Sequence, residues 1–507
     1  LEFLISKYSL TQQNIKSVCF YEKPFKSWWE IFVYSMKKPL KNKKLLSHHL
    51  KNFNSGSIFF YSHLNNVIKV PRDKILYSSH HLSHCLYGSI YANDNLDKYA
   101  FISCDGVGEG ETMTIYTINN ENLIKKHWTN FYPNSLGLFY SAITDFMGFD
   151  INEGEFKVMS LSSYGNPIYE KEMERMFDCN KLTINNDYFE FEKNPLRSFS
   201  DFLVNVFGEP YLNLSIKKNF EKYADIASSA QLVLNKSMRS LILKAKNITG
   251  KNKIVLTGGV ALNCKMIHDL SKEDIFEEII VPPSPGDSGS AIGAANFSYF
   301  YQNQKFLSNI GLFPGPDKKD LNKNFRINEF FEKISQTENC LDTTCELIQK
   351  GNVIATYIDR IETGPRALGN TSIVCSAKDK LAVQKLNMKI KQREFYQPLA
   401  PMLLKENVEK YFIYKKSVHK NLYTMGTLCE GKKKLKDDYE SIIHVDNTSR
   451  VQIIDQKNSP IFKLLKKLEE INIDILVNTS FNISKDPIVF DLFDVYTNMR
   501  RMNIEYI

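Results

Sequence analysis

The sequence predicts an α/β protein of two domains, and three observations lead to that class. The chain has 507 residues, more than one ordinary domain of roughly 100–200 residues uses. Strand-like apolar runs at 98–104, 253–257 and 279–282 each end in an acidic or glycine-rich loop, and the last two loops open a helix. A polar connector from about Leu307 to Phe325, broken by Gly311, Pro314, Gly315 and Pro316, separates a first region (1–315) from a second (326–507).

Composition narrows the class. The chain is 43% hydrophobic and 24% charged, an ordinary globular balance with apolar mass for large cores. No run approaches 18 apolar residues, so no membrane partner is expected. The chain opens on Leu1 without a basic-then-apolar leader, which reads as a fragment or trimmed chain. Nine scattered cysteines, odd in number and without a Cys-x-x-Cys pair, suit free thiols in a reducing cytoplasm. The net charge of +8 is mild for this length. Lysine runs at 37–38, 41–44 and 432–434 read as solvated faces and do not favour nucleic acid. A homodimer remains open.

The first region begins with an amphipathic helix and a strand (15–21) within residues 1–21, then a lysine-rich stretch through Lys51. A helix ending near Leu64, a strand (75–77) and a helix bearing His80-His81-Leu82-Ser83-His84 follow. His80 and His84 stand four apart, one turn above each other on one face, where two imidazoles can close on one metal ion. Histidines satisfied in the core are the plainer reading. The strand at 98–104 runs into Asp105-Gly106-Val107-Gly108-Glu109-Gly110. Glycines after an acidic residue let backbone approach phosphate or metal, but Asp-Gly is also the commonest hairpin signal and alone favours a plain turn.

Lys157 sits between apolar neighbours, placed to meet a partner or to lie on a surface loop. Residues 181–220 look like a polar, irregular insertion. Ala224 to Lys246 is a long amphipathic helix stopped by Gly250. The loop Gly258-Gly259-Val260-Ala261-Leu262-Asn263 leads from strand to helix N-terminus, a place that suits phosphate. Asp287 starts a helix of very small residues, either as its N-cap or as a second acidic loop residue for a metal.

The second region reads as a helix (328–350), a strand (353–358) and four polar clusters. These hold Arg366; Lys391 and Arg393; Arg450; and Asn478, Ser480 and Asn482. Arginine forks and lysine point charges recognise phosphate, so this domain is expected to bind an anion.

In order along the chain, HHLSH, CDGVGEGE, EGEFKVMSLSSYG, LTGGVALNC, PPSPGDSGSAIGAA, IETGPRALGN, IKQREF, HVDNTSRVQ and NTSFN resemble the NodU/CmcH family of O-carbamoyltransferases over most of the length. The resemblance implies an actin-like (ASKHA) domain like that of the tRNA threonylcarbamoyl transferase, over 1–315, and a YrdC-like domain over 326–507. The second would join carbamoyl phosphate and ATP, with Mg2+, into carbamoyl-adenylate. The first would pass the carbamoyl group to a hydroxyl of a small, sugar-like or natural-product acceptor. By the same resemblance His80, His84, Asp105 and Asp287 would hold one divalent metal, commonly iron, with zinc or manganese also suited. Gly258, Gly259, Asn263 and Lys157 would serve the nucleotide. Arg366, Lys391, Arg393, Arg450 and Ser480 would grip carbamoyl phosphate and the ATP phosphates, with Asn478 and Asn482 beside them.

The chain departs from that pattern in three places. The family's opening strand and His-Asp motif are absent. Thr371 stands where the family usually has Arg, and so does Gln397. Two fewer positive charges would weaken phosphate binding if they belong to the site itself. An ASKHA-type kinase and an inactive nucleotide- or nucleic-acid-binding homologue are the competing readings; the second domain's basic clusters speak against the kinase.

Overall fold

A computed structural model describes residues 2–37, 42–51, 57–92, 95–191, 197–210, 216–322, 339–483 and 486–507. The chain divides into two compact units. One holds Leu1–Leu262 and Ile275–Asn309, the other Asn263–Asp274 and Ile310–Ile507. No described helix is long and apolar enough to cross a membrane.

The first unit opens with α1 (Glu2–Lys7), β1 (Val18–Phe20), α2 (Pro24–Lys37), α3 (Lys43–Lys51), α4 (Phe60–Val67) and β2 (Ile75–Tyr77), with β1 and β2 paired in parallel. The first strand is thus shorter than the 15–21 expected. Next come α5 (His80–Ser89), β3 (Tyr99–Gly108), β4 (Glu111–Ile118), β5 (Ile124–Phe131), α6 (Leu136–Phe146), α7 (Glu155–Leu161), α8 (Glu170–Met176), β6 (Phe177–Asp178) and β7 (Thr183–Ile184). The rest is α9 (Asp201–Phe207), α10 (Ile216–Thr249), β8 (Lys253–Thr257), α11 (Cys264–Lys272, in the second unit), β9 (Glu278–Ile280) and α12 (Asp287–Asn303).

The central sheet runs β5-β4-β3-β8-β9. The first three strands are antiparallel, and β3, β8 and β9 are parallel. This is the order and sense of an actin-like half. Residues buried on both faces of β3 give the near-continuous apolar run Tyr99-Ala100-Phe101-Ile102, as a strand covered by helices requires.

Two expectations are corrected here. Asp105-Gly106 is not the hairpin turn: β3 continues through it to Gly108, which pairs with Glu111 across a register shift. The turn is Glu109-Gly110, with φ of 53° and 82°, the two-residue form that needs positive φ at both positions. That conformation costs a non-glycine residue about 1–2 kcal/mol. The stretch expected to be a polar insertion, 181–220, contributes core residues: among those described, Tyr188, Phe189, Phe199, Leu203 and Phe207 are buried, while 192–196 and 211–215 lie outside the described residues. Helix α10 does end at Gly250, whose φ is 67°.

Small residues let α12 lie against α5. A Cβ on Gly293 would fall 1.8 Å from the Ser83 carbonyl oxygen, and one on Gly289 would fall 2.6 Å from the Tyr87 ring. On the other side of α5, a Cβ on Gly88 would meet Val255 Cγ1 at 2.7 Å. The helix is thereby clamped between α12 and the sheet.

The second unit holds a five-stranded sheet in the order β10-β11-β17-β12-β16: β10 (Ile354–Tyr357), β11 (Thr371–Ser376), β12 (Ala400–Leu404), β16 (Gln452–Ile454) and β17 (Ile475–Ser480). A small sheet of β13 (Phe412–Ile413), β14 (Cys429–Gly431) and β15 (Thr448–Ser449) lies in the same unit. Only β12 and β16 are parallel among the pairs of the larger sheet. Separate cores cover its two faces, one around Ile373, Leu403 and Val477, the other around Val374, Met402 and Leu465. Both units are therefore α/β, as expected. The helix expected at 328–350 is seen as Cys340–Gln349; residues 323–338 lie outside the described residues.

Candidate functional site

The histidine helix begins inside the first unit. His80, His81 and His84 are all buried, but they face different surroundings. His81 Nε2 meets the Glu111 carbonyl oxygen at 3.1 Å, and its Nδ1 lies 3.3 Å from Thr114 Oγ1. Burial and the neighbouring histidines hold its pKa well below the usual imidazole range. It is a satisfied core histidine.

His80 and His84 turn their Nε2 atoms toward each other, 3.2 Å apart. Asp105 Oδ2 lies 2.8 Å from His84 Nε2 and 3.5 Å from His80 Nε2. Asp287 Oδ1 lies 3.4 Å and 3.5 Å from the same two atoms. One ligand atom from each of the four residues falls within 4.8 Å of the others. Burial alone would lower His84; hydrogen bonds from it to Asp105 and Asp287 outweigh that and raise its pKa to about 9. Burial would raise Asp105, yet the two imidazoles hold it well below the usual carboxylate range. Two nitrogens and two hard oxygens at this spacing fit a first-row divalent cation, and suit iron, zinc and manganese alike. The His84 Nδ1 meets Ser290 Oγ at 3.2 Å, the kind of outer contact that fixes a ligand's tautomer.

Each ligand is placed by a local cause. Asp105 sits on β3 beside the point where its pairing shifts. A Cβ on Gly137 would press on the Asp105 backbone at 2.8 Å. Asp287 is the first residue of α12; the N-cap is Gly286, so Asp287 is not the cap. Its side chain is 64% exposed while that of His84 is fully buried. The group therefore opens to solvent on the Asp287 side.

The glycine loop lies against this group. Gly258 has φ of 86°, and its Cβ would strike the Cys104 carbonyl oxygen at 2.1 Å. A Cβ on Gly259 would sit 3.1 Å from Asp105 Oδ1. The Gly258 N–H is already given to the Pro285 carbonyl oxygen at 2.8 Å. Asn263 falls in the second unit and caps α11, its Oδ1 accepting from Met266 N–H at 2.9 Å. Lys157 stands on α7 with its ammonium 5.3 Å from the Phe149 ring centroid.

In the second unit the basic residues gather around the end of β17. Lys391 Nζ donates to the Ser480 carbonyl oxygen (2.8 Å) and to Asn482 Oδ1 (2.8 Å). Arg393 Nη2 donates to Thr479 Oγ1 at 2.9 Å, and Ser480 Oγ to Asn482 Oδ1 at 2.6 Å. Asn478 Nδ2 donates to Ala367 O and Gln452 Oε1. Burial lowers Arg366, Arg393 and Arg450, and the Arg450 guanidinium lowers the first two further. Burial first, then the neighbouring guanidiniums, lower Arg366 to about 9 and Arg393 to about 10. Burial and Arg393 lower Lys391 to about 7. The Arg450 Nε is buried and has no hydrogen-bond partner among the described residues. Crowded cations of this kind suit an anion with several oxygens.

Several buried polar contacts lie outside the expected set. Glu109 accepts the His80 N–H at 3.1 Å. Lys318, in the stretch expected to be a connector, is buried and donates to Ile358 O, Asn370 O and Thr371 Oγ1 at 2.7–2.9 Å. Thr371 Oγ1 in turn donates to Glu362 Oε2 at 2.7 Å. Where the resemblance leads one to expect an arginine at 371, a cation thus arrives from Lys318. Gln397 is buried and donates to Glu394. Cys264 lies against the Arg450 guanidinium. Only the lysine's odd place among Gly, Pro and Asp could have hinted at this role.

Residues 1–296 match the family model described as carbamoyltransferase N-terminus, and residues 345–507 that described as carbamoyltransferase C-terminus. An uncharacterized protein of Synechocystis sp. is 28% identical, covering 100% of this chain and 88% of its own. Nodulation protein NolNO of Sinorhizobium fredii is 26% identical, over 86% of this chain and 63% of that protein. Among solved structures, full-length HypF in the phosphate- and nucleotide-bound form is similar over 33% of this chain and 20% of that chain, at 21% identity and a TM-score of 0.25. The matches and the two α/β units define the class, a two-part transferase. The chain belongs to the carbamoyltransferase family.

Proposed function

We propose that the protein is an ATP-dependent O-carbamoyltransferase. Carbamoyl phosphate gives up its phosphate with one water, and a carbamate oxygen displaces pyrophosphate from the α-phosphorus of ATP. The resulting carbamoyl-adenylate yields its carbamoyl group to an acceptor hydroxyl, and AMP leaves. The acceptor is a small molecule with a sugar-like or natural-product hydroxyl.

One observation carries the reading: four cationic side chains, Arg366, Lys391, Arg393 and Arg450, gather near the end of β17, where Lys391 bonds Ser480 and Asn482 and Arg393 bonds Thr479. Such a group is costly to hold together without an anion. Its work in nucleotidyl transfer is positioning and charge neutralisation. The arginine forks would hold phosphate oxygens in pairs, and Lys391, anchored by Ser480 and Asn482, would add a point charge. The Gly258-Gly259 loop would bring backbone close to the nucleotide beside Asp105, with Lys157 also serving it.

His80, His84, Asp105 and Asp287 would hold a divalent metal, iron by family likeness. When bound, such an ion supplies Lewis acidity toward an acyl or phosphoryl oxygen. The chain's own residues do the rest. His80 and His84 close the inner side against water, and Asp287 leaves the outer side open for the acceptor.

The test is to incubate the full-length protein with ATP, labelled carbamoyl phosphate, Mg2+ and a divalent transition metal. AMP and pyrophosphate release that requires carbamoyl phosphate is expected. ADP and a phosphorylated acceptor would instead support the kinase reading. Asp287→Asn is expected to abolish transfer and spare adenylate formation; equal loss of both half-reactions would overturn this division of labour.

A further inference from the structure

We propose that Glu109 is a positioning residue for the His80/His84 group, fixing the start of the histidine helix from the tip of a hairpin. The inference rests on reading that group as a metal site.

Glu109 takes the first central position of the β3–β4 turn, with φ of 53°. Asn, Asp and Gly are the easy choices there. A glutamate is a poor choice for the turn itself, so the reason for it lies in its side chain. That side chain is only 2% exposed. Its Oε1 accepts the His80 backbone N–H at 3.1 Å and the Lys23 backbone N–H at 2.8 Å. Its Oε2 accepts from Lys26 Nζ at 3.4 Å.

The bond to His80 answers a need of α5. His80 is the first residue of that helix, so its N–H has no acceptor within it. Ser79, the N-cap, makes no side-chain cap hydrogen bond. Glu109 does this work from another element, and its negative charge lies at the positive end of the helix. The neighbour Gly108 completes the fit, because a Cβ there would lie 2.1 Å from His80 Cδ2. One carboxylate thus holds the backbone of His80 while the next glycine admits its ring. The same carboxylate pins the start of α2 through Lys23 and Lys26.

Glu109→Asn separates the roles. Asparagine suits the turn better than glutamate but is one methylene shorter, so it gives up the reach to the His80 N–H. The experiment titrates the full chain with Co2+, read by its visible absorption bands, and follows melting of the metal-free protein. Wild type is expected to bind one Co2+. Glu109→Asn should still melt cooperatively, within several degrees of wild type, bind Co2+ at least severalfold more weakly, and show shifted bands. Glu109→Gln keeps an oxygen in reach and should recover most of the affinity. Lys26→Met should bind like wild type. Wild-type affinity and bands in Glu109→Asn would overturn the inference and leave the metal reading standing. Absence of Co2+ binding by wild type would overturn the metal reading, and this inference with it.

Discussion

Lys391 shows how one side chain links burial to ligand binding. Burial, then repulsion from Arg393, lowers its pKa from 10.5 to about 7. In the anion-free protein the ammonium form is therefore present below about pH 7 and lost above it. Because the unfolded chain keeps its proton up to 10.5, this group adds stability as pH rises from about 7 to 10.5 and gives it up again as pH falls over the same range, the loss being complete once pH has passed through 7. Anion binding has the opposite sign, since an anion favours the ammonium. Sulfate, which does not itself titrate in this range, is expected to bind several-fold more weakly at pH 8.5 than at pH 6.5. Lys391→Met should flatten that dependence, as measured by calorimetry; Arg366 and Arg393, near 9 and 10, titrate above most of the window. An unchanged slope in Lys391→Met would assign it to another group. At this scale the His-x-x-x-His pair was legible, because helical spacing alone puts two imidazoles on one face. Glu109 and Lys318 were not. Their partners lie 29 and up to 53 positions away, and no local period records such a meeting.

The elements explain why the small-residue run Gly286 to Ala295 matters. Gly289 and Gly293 let α12 come down on α5, and only then does Asp287 reach His80 and His84. Gly293→Ala puts a methyl carbon 1.8 Å from the Ser83 carbonyl oxygen, a backbone contact that cannot yield without moving a helix. Its melting temperature is expected to fall by several degrees, and its Co2+ affinity by tenfold or more. Gly286→Ala, whose new carbon meets nothing closer than 3.9 Å, should do neither; equal effects of the two changes would mean that helix approach is not what places Asp287. Strand and helix types were readable here, as with β8 and its glycine loop. The hairpin was misplaced because Asp105-Gly106 carries the common turn signal, while the chain bends four residues later at Glu109-Gly110. Pairing of Gly108 with Glu111 overrides the local preference. The burial of Tyr188, Phe189, Phe199 and Phe207 was hidden among polar neighbours.

At the level of the whole molecule, the division into two units is not a single cut along the chain. The segment Asn263–Asp274 leaves the first unit between β8 and β9 and belongs to the second. There Lys272 Nζ meets Glu430 Oε1 at 2.8 Å, Lys265 lies 3.7 Å from Asp446, and Cys264 touches the Arg450 guanidinium. A sequence gives no sign of such an excursion, since α11 has the length and capping of any helix following a strand. A fragment of residues 310–507 therefore lacks a piece of its own unit. It is expected to melt several degrees below the corresponding transition of the full chain and to be cut faster by trypsin; equal melting would show that the segment adds little. The excursion also sets an order of events during synthesis. Asn263–Asp274 leaves the ribosome before residues 310–507, so the second unit cannot close until the rest of it has followed. Recombination meets the same arrangement: exchanging the C-terminal part between relatives at a single crossover would separate it from its own helix, so inheritance should keep both parts together.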